Sequence, residues 1–206
     1  MFKMKALMLN CSLKTSEEES HTSSLLQKAA EWLNKEGTET EEIRIADYQV
    51  SPGMAPDMGN GDEWPKIMEK VLSANIVIIG TPIWIGEKSS ISTLVVERLY
   101  ASSAETNEKG QAIYYNKVGG AVVTGNEDGA KESAKSILYG LQHIGFTVPP
   151  NVDAYWVGEA GPGPSYIEGG KDNEFTNKNT KVMSYNLLHF ARMLHKHPIP
   201  AIGNTN

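Results

Sequence analysis

Residues 5–26 read KALMLNCSLKTSEEESHTSSLL. The apolar run at 5–9 has the character of a strand covered on both faces. Leu25 and Leu26 begin a helical stripe that continues through Ala29, Ala30 and Leu33 and ends at Gly37. Strand, polar loop and helix in that order predict the first unit of a parallel α/β sheet. The loop between them is rich in donors: Ser12, Lys14, His21, Thr22 and Ser23. A helix start presents free N–H groups and about half a positive charge, so this junction attracts an anion such as phosphate. Each charge-assisted hydrogen bond to such an anion contributes roughly 1.5–3 kcal/mol. Four or five of them outweigh a distant net charge that is screened beyond about 8 Å at physiological salt. The three glutamates at 17–19 then belong on the outer tip, in water. The plainer alternative is that Ser20 caps the helix and the rest is polar loop. Neither G-x-x-x-x-G-K-[ST] nor G-x-G-x-x-G follows this strand, which argues against a nucleoside triphosphatase and against a dinucleotide held in the usual way.

The same alternation continues along the chain. EIRIA (42–46), NIVIIG (75–80), VGGAVVT (118–124) and VDAYWV (152–157) read as four further strands. Trp64, Ile67, Met68, Val71 and Leu72 form a second helical stripe, with Asp62 as its expected cap and Pro65 in its first turn. A third helix is predicted through SISTLVVERLY (90–100). A fourth is predicted over 130–144, with Ala134, Ile137, Leu138 and Leu141 inward, and a fifth over 179–196, burying Met183, Leu187, Phe190, Ala191 and Leu194. This repetition predicts one α/β domain over 1–206, a doubly wound five-stranded parallel sheet with helices on both faces. Two Gly-, Pro- and Asn-rich segments, 50–61 and 158–174, stand outside the alternation.

Composition narrows the function. The chain has 206 residues, 40% hydrophobic and 21% charged, with net charge −6 and no basic run. That is the balance of a globular protein and predicts no nucleic-acid partner. The longest apolar run is too short to cross a bilayer, so no membrane partner is expected. MFKMKALML lacks a small-residue cleavage site and reads as strand. Cys11 is the lone cysteine, which rules out an internal disulfide and an iron–sulfur cluster and fits a cytoplasmic location. His189, His195 and His197 lack the spacing and companions of a metal site. No G-x-S-x-G elbow appears.

Ligands of a doubly wound sheet bind beyond the carboxyl ends of its strands, where the strand order reverses. Two more loops fall at that edge. GTPIWIGEKSS (80–90) places Pro82, Ile83, Trp84, Ile85 and Gly86 there. Trp84 reads as a ligand platform, whereas Trp32 and Trp64, in helical stripes, read as core. VVTGNEDGAKESAK (122–135) places Thr124, Gly125, Asn126, Glu127, Asp128 and Gly129 there, with a helix cap by Asp128 as the alternative.

Taken together, NCSLK…SHTSSLL, GTPIWIG and VVTGNEDGA resemble the flavodoxin-like NAD(P)H-dependent FMN oxidoreductases, or NADPH-dependent FMN reductases, over about residues 4–150. The resemblance implies strand order 2-1-3-4-5, FMN as cofactor and NADPH or NADH as co-substrate. It implies that Ser12, Lys14, His21, Thr22 and Ser23 bind the FMN phosphate, that residues 82–86 line the ring, and that residues 124–129 close over its other edge. It further implies a small-molecule electron acceptor such as a quinone or flavin, and a homodimer or homotetramer. No catalytic side chain and no metal ligand is assigned. Lys88 is a candidate for stabilising a reduced ring, and Trp156, Gly161 and Tyr166 are candidates for the cavity wall. The first loop is longer and more acidic than in short-chain flavodoxins, the cysteine motif of the iron–sulfur branch is absent, and GPGPSY lies outside the common pattern. Two other readings compete: an electron carrier of flavodoxin type that docks on proteins, and a non-redox interaction protein that has kept only the fold.

Overall fold

The computed structural model describes residues 3–161 and 163–205. In chain order the elements are β1 (Lys5–Asn10), α1 (His21–Lys35), β2 (Glu39–Arg44), α2 (Trp64–Ser73), β3 (Ile76–Trp84), β4 (Glu87–Lys88), α3 (Ser90–Ala101), β5 (Val118–Gly125), α4 (Ala130–His143), β6 (Asp153–Val157) and α5 (Glu174–Lys196). Five parallel strands lie in the order β2-β1-β3-β5-β6, and the two-residue β4 folds back antiparallel on the end of β3. Apart from that hairpin strand, which shifts the numbering, this is the expected flavodoxin-like order.

Side-chain alternation along each strand divides the core into two layers. Ala6, Met8, Ile76, Ile78, Val118 and Val122 face α1 and α5, meeting Leu25, Leu26, Leu33, Met183 and Leu187. Leu7, Leu9, Val77, Ile79, Ala121 and Val123 face α2, α3 and α4, meeting Trp64, Ile67, Val95, Leu99 and Ile137. The central strands are apolar on both sides because both sides are covered.

Five local expectations change. β2 spans 39–44 rather than 42–46, because pairing starts at Lys5↔Glu39 and residues 45–47 wind into a single 3-10 turn. α5 begins five residues early, since the Asn173 side chain accepts the Thr176 N–H at 2.9 Å and caps it. Leu72, at the margin of the α2 stripe, is exposed, and Trp32 is only partly buried, held between Lys35 and Lys181, each 4.9 Å from its ring centre. At α2 the cap position belongs to Glu63, whose side chain pairs with Lys66 and caps no backbone N–H of the helix.

Asp62 has a different main task. Its carboxylate accepts the N–H groups of Ser51, Met58 and Trp64 and pairs with Arg98 at 2.8 Å, both side chains fully buried. Arg98 also donates to the carbonyls of Gly53 and Pro56 and lies 5.7 Å from the Trp64 ring centre. The 50–61 excursion is thus sewn to α3 by one ion pair. Burial alone would raise the Asp62 pKa, but the three N–H donors and the Arg98 charge outweigh it and hold it below the ordinary carboxylate value.

Replacing Asp62 with Asn leaves Arg98 buried without its counter-charge and is expected to cost about 3 kcal/mol in urea unfolding at pH 7. The native pKa is depressed, so the contribution is complete above the unfolded value of about 3.9 and disappears as pH falls through the lower folded value. The gap between wild type and Asp62→Asn should therefore close on acidification.

Candidate functional site

β1 leads to β2 on one side and β3 lies on the other, so the strand order reverses beside the carboxyl end of β1. At that edge lies an open cavity of about 220 Å³. One end is the loop after β1, with Ser12, Lys14, Ser20, His21 and Thr22. The other holds Pro82, Ile83 and Trp84; Thr124 to Glu127 complete the lining with Trp156, the strand partner of Thr124, and with Ser165 and Tyr166.

The loop end is built on the start of α1. Ser20 caps the helix by accepting the Ser23 N–H at 3.1 Å. This is the capping reading, and it holds together with the donor-rich loop. The Asn10 amide accepts the Ser12 N–H at 2.9 Å and donates to Glu42 at 2.8 Å, which fixes the chain as it leaves β1. His21 accepts the Ile167 N–H on Nδ1 at 3.3 Å, so its ring proton sits on Nε2. The hydroxyls of Thr22 and Thr124 bond at 2.8 Å, both buried, and join α1 to β5 under the cavity. Glu17, Glu18 and Glu19 are exposed at the tip, and Glu19 also reaches the cavity rim.

The ring end is a tight hairpin. Ile85 and Gly86 both have positive φ, +52° and +76°, between the paired Trp84 and Glu87. Two such residues make the mirror-image turn whose twist suits a hairpin. Glycine adopts it freely, but a β-branched residue does not, so strain is stored at Ile85. Ile85 is 91% exposed and Trp84 52%, which leaves an indole face open to the cavity and solvent. The Ile85 N–H donates to Glu127 at 3.1 Å. Gly129 packs so closely beneath the hairpin that a Cβ there would lie 2.3 Å from the Gly86 carbonyl oxygen.

The end of β6 and the 158–174 segment supply a further wall, joined to Asn126 and His21. Trp156 and Tyr166 meet edge to face, with centroids 5.8 Å apart at 64°. Gly158 and Gly170 leave room for the indole between them, since a Cβ on either would lie within 2.6 Å of it. Ser165 and Glu168 form a reciprocal capping box at the start of a short π turn, and Asn126 donates to the Gly161 carbonyl. Tyr166 is pushed up to about 12, chiefly by burial, so its hydroxyl stays protonated at neutral pH.

Most of the expected residues converge here: Ser12, Lys14, His21, Thr22, Pro82, Ile83, Trp84, Thr124, Gly125, Asn126 and Glu127 line the cavity. Ser23, Ile85, Gly86, Asp128 and Gly129 stand behind it. The Ser23 hydroxyl donates to Glu42 at 3.0 Å, and the other four form or support the hairpin. Asp128 does not cap α4, whose cap position is Gly129. Lys88 donates to the Ser136 hydroxyl at 2.8 Å and is directed at α4, outside the cavity lining. The reading overlooked Leu13 and Ser165, and the supporting Asn10, Glu42 and Arg44; of these, Ser165-x-x-Glu168 carried a legible capping-box signature. Burial raises the Cys11 thiol well above its ordinary value and keeps it unreactive. Among the described residues no cluster of three or more His, Cys, Asp or Glu is set to hold a metal, and no helix is long and apolar enough to cross a membrane.

A flavin 5′-phosphate fits this donor set: hydroxyls, a ring N–H and a lysine at one end, and a flat aromatic slot at the other. Comparison with known proteins agrees. The family model described as NADPH-dependent FMN reductase matches residues 4–160. The 8-demethyl-8-aminoriboflavin-5′-phosphate synthase of Streptomyces davaonensis is 40% identical over 205 residues, covering 95% of this chain and 80% of that protein. The crystal structure of RosB with bound intermediate 8-demethyl-8-formylriboflavin-5′-phosphate superposes with a TM-score of 0.88 at 39% identity, covering 95% of this chain and 82% of that one. A Mycobacterium bovis protein named divalent metal cation transporter MntH is 46% identical over 198 residues, which is 93% of this chain. The chain spans only 29% of that relative's length.

Gly129→Ala should be costly, because the new methyl meets backbone and φ is +126°. The expected loss is about 2–4 kcal/mol in urea unfolding, with altered Trp84 fluorescence as the hairpin shifts.

Proposed function

The chain belongs to the NADPH-dependent FMN reductase family, and on that footing we propose that its cleft holds FMN, receives hydride from NAD(P)H and delivers electrons to a small acceptor such as a quinone or a free flavin. Members of this family are FMN-dependent oxidoreductases, so an enzyme is the starting point, and the donor and acceptor are the proposal. The observation that carries it is the pairing, in one cavity, of an anion-seeking loop with a solvent-open indole.

FMN, when bound, supplies the hydride chemistry; the protein supplies position and electrostatics. Ser12, Lys14, the Nε2–H of His21 and the first N–H groups of α1 hold the phosphate dianion. Trp84 and Pro82 would bound the ring slot, and Trp156 with Tyr166 would line the cavity beside Thr124. The Ile85 N–H, now given to Glu127, is a backbone donor on the hairpin that would be offered to the ring edge. Hydride transfer to a flavin needs no acid–base side chain, in keeping with a cavity that shows no nucleophile–base pair. The half-open Trp84 side leaves room for a nicotinamide or an acceptor in turn. The exposed Leu13 and Trp84 of the cavity lining, with the exposed Ile85 next to them on the hairpin, would be covered by a second subunit in a homodimer or homotetramer. One domain in the cytoplasm accommodates all of this.

A second reading is favoured by the Streptomyces relative, whose named product is itself a flavin phosphate: here too the flavin phosphate would be the substrate, altered on its ring in the same cradle. The aromatic wall made by Trp156 and Tyr166, with Ser165 beside it in the cavity lining, suits that role.

Titration with FMN should quench its fluorescence stoichiometrically, and NADPH should then be consumed steadily with a quinone present. Trp84→Ala should retain FMN but lose most of that turnover, by roughly tenfold or more if the indole contributes about 1.4 kcal/mol to the transition state. FMN binding without NAD(P)H oxidation would point to an electron carrier, and a changed flavin mass after turnover would favour the second reading.

A further inference from the structure

We infer that Arg44, on the edge strand and outside the cavity, is a positioning residue that shapes the phosphate loop and makes the site discriminate flavin 5′-phosphate from unphosphorylated flavin. The inference rests on the proposal that the cavity holds FMN. Thr40, Glu42 and Arg44 alternate onto the α1 side of β2, as period two requires. Thr40 bonds Asn34 at the far end of α1, whereas Glu42 and Arg44 engage the cradle: Glu42 takes Asn10 and Ser23, and Arg44 takes the loop itself.

One guanidinium nitrogen of Arg44 donates to the Thr15 carbonyl at 2.8 Å and, more loosely, to those of Lys14 at 3.3 Å and Glu18 at 3.4 Å. Just beyond it, Asp47 accepts the Ser16 N–H at 2.7 Å. The end of β2 therefore brackets the loop from behind. Arg44 lines a polar cleft with Glu18, Ser24 and Lys171, and this cleft shares Glu19 and Ser20 with the flavin cavity, which Arg44 itself does not line.

In a planar trans peptide the C=O and the following N–H point in opposite directions. Drawing the Lys14 and Glu18 carbonyls towards Arg44 therefore turns the N–H groups of Thr15 and Glu19 away from it, and of these two residues Glu19 lines the cavity. The same bonds keep those carbonyls, which would repel a phosphate, away from it. The charge adds to this. Among the described residues Arg44 forms no ion pair with a carboxylate, and its Nε is buried without a partner. Its positive charge is thus not spent on a side-chain counter-ion and acts on the loop and on an anion across it. Lysine does not reproduce this, because its shorter arm ends in a single ammonium.

The test is the ratio of dissociation constants for riboflavin and FMN, which differ only by the phosphate, measured by fluorescence titration of wild type, Arg44→Gln and Arg44→Lys. Wild type should prefer FMN. Arg44→Gln should weaken FMN by roughly tenfold or more, as loss of a charged hydrogen-bond donor implies, and leave riboflavin within about twofold. Arg44→Lys should fall between, and it decides the matter if the glutamine variant does not fold. A wild-type ratio in either variant overturns the inference. So does an equal loss of both ligands, the mark of a merely structural arginine. A wild-type chain that does not prefer FMN removes the underlying reading as well, which separates the two failures.

Discussion

Helix α1 reaches the sheet's switch point because nothing lies beneath its first turns. A Cβ on Gly80, in the middle of β3, would stand 2.6 Å from Leu26 and 2.9 Å from Thr22. The missing methyl lets α1 settle onto the sheet, where Leu25, Leu26 and Leu33 are fully buried and Thr22 meets Thr124 at 2.8 Å. That seating aims the free N–H groups of the helix start into the space beyond β1, β3 and β5. The cavity, its likeness to an anion site and its alignment with the Trp84 hairpin all follow from it.

The second layer of the site is polar and is drawn from the sheet's edge. Glu42 and Asn10 set the first residues of the loop, Arg44 and Asp47 set its tip, and Glu127 holds the strained Ile85 peptide at the far end. The 158–174 segment is tied in by Ile167 to His21 and by Gly161 to Asn126, so the wall and the phosphate end share their supports. A strained hairpin and a loop held by its carbonyls persist only where neighbours over-determine them.

Much of this was legible in the residues. Continuous apolar runs marked the central strands, helical stripes marked the helices, and three polar loops at one edge marked the site. What was not legible has physical reasons. Glu42 and Arg44 alternate on an edge strand and look like an ordinary solvated face until the loop is seen folded over them. Ser23 belongs by spacing to the anion loop, yet Glu42 takes its hydroxyl. Ile85 offers no turn signal, because β-branched residues avoid positive φ. Asn173 follows a Gly- and Asn-rich stretch where a helix cap is hard to separate from a turn. Asp62 looked like a simple helix cap because Arg98, its real partner, lies 36 positions away.

A crystal structure of the protein soaked with FMN tests the central claim most directly. The phosphate should lie within hydrogen-bond distance of Ser12, His21 Nε2 and the first N–H groups of α1, with the ring against Trp84 and its far edge towards Trp156. Flavin density at any other place, or with the phosphate in solvent and the ring alone in the cleft, would contradict the account.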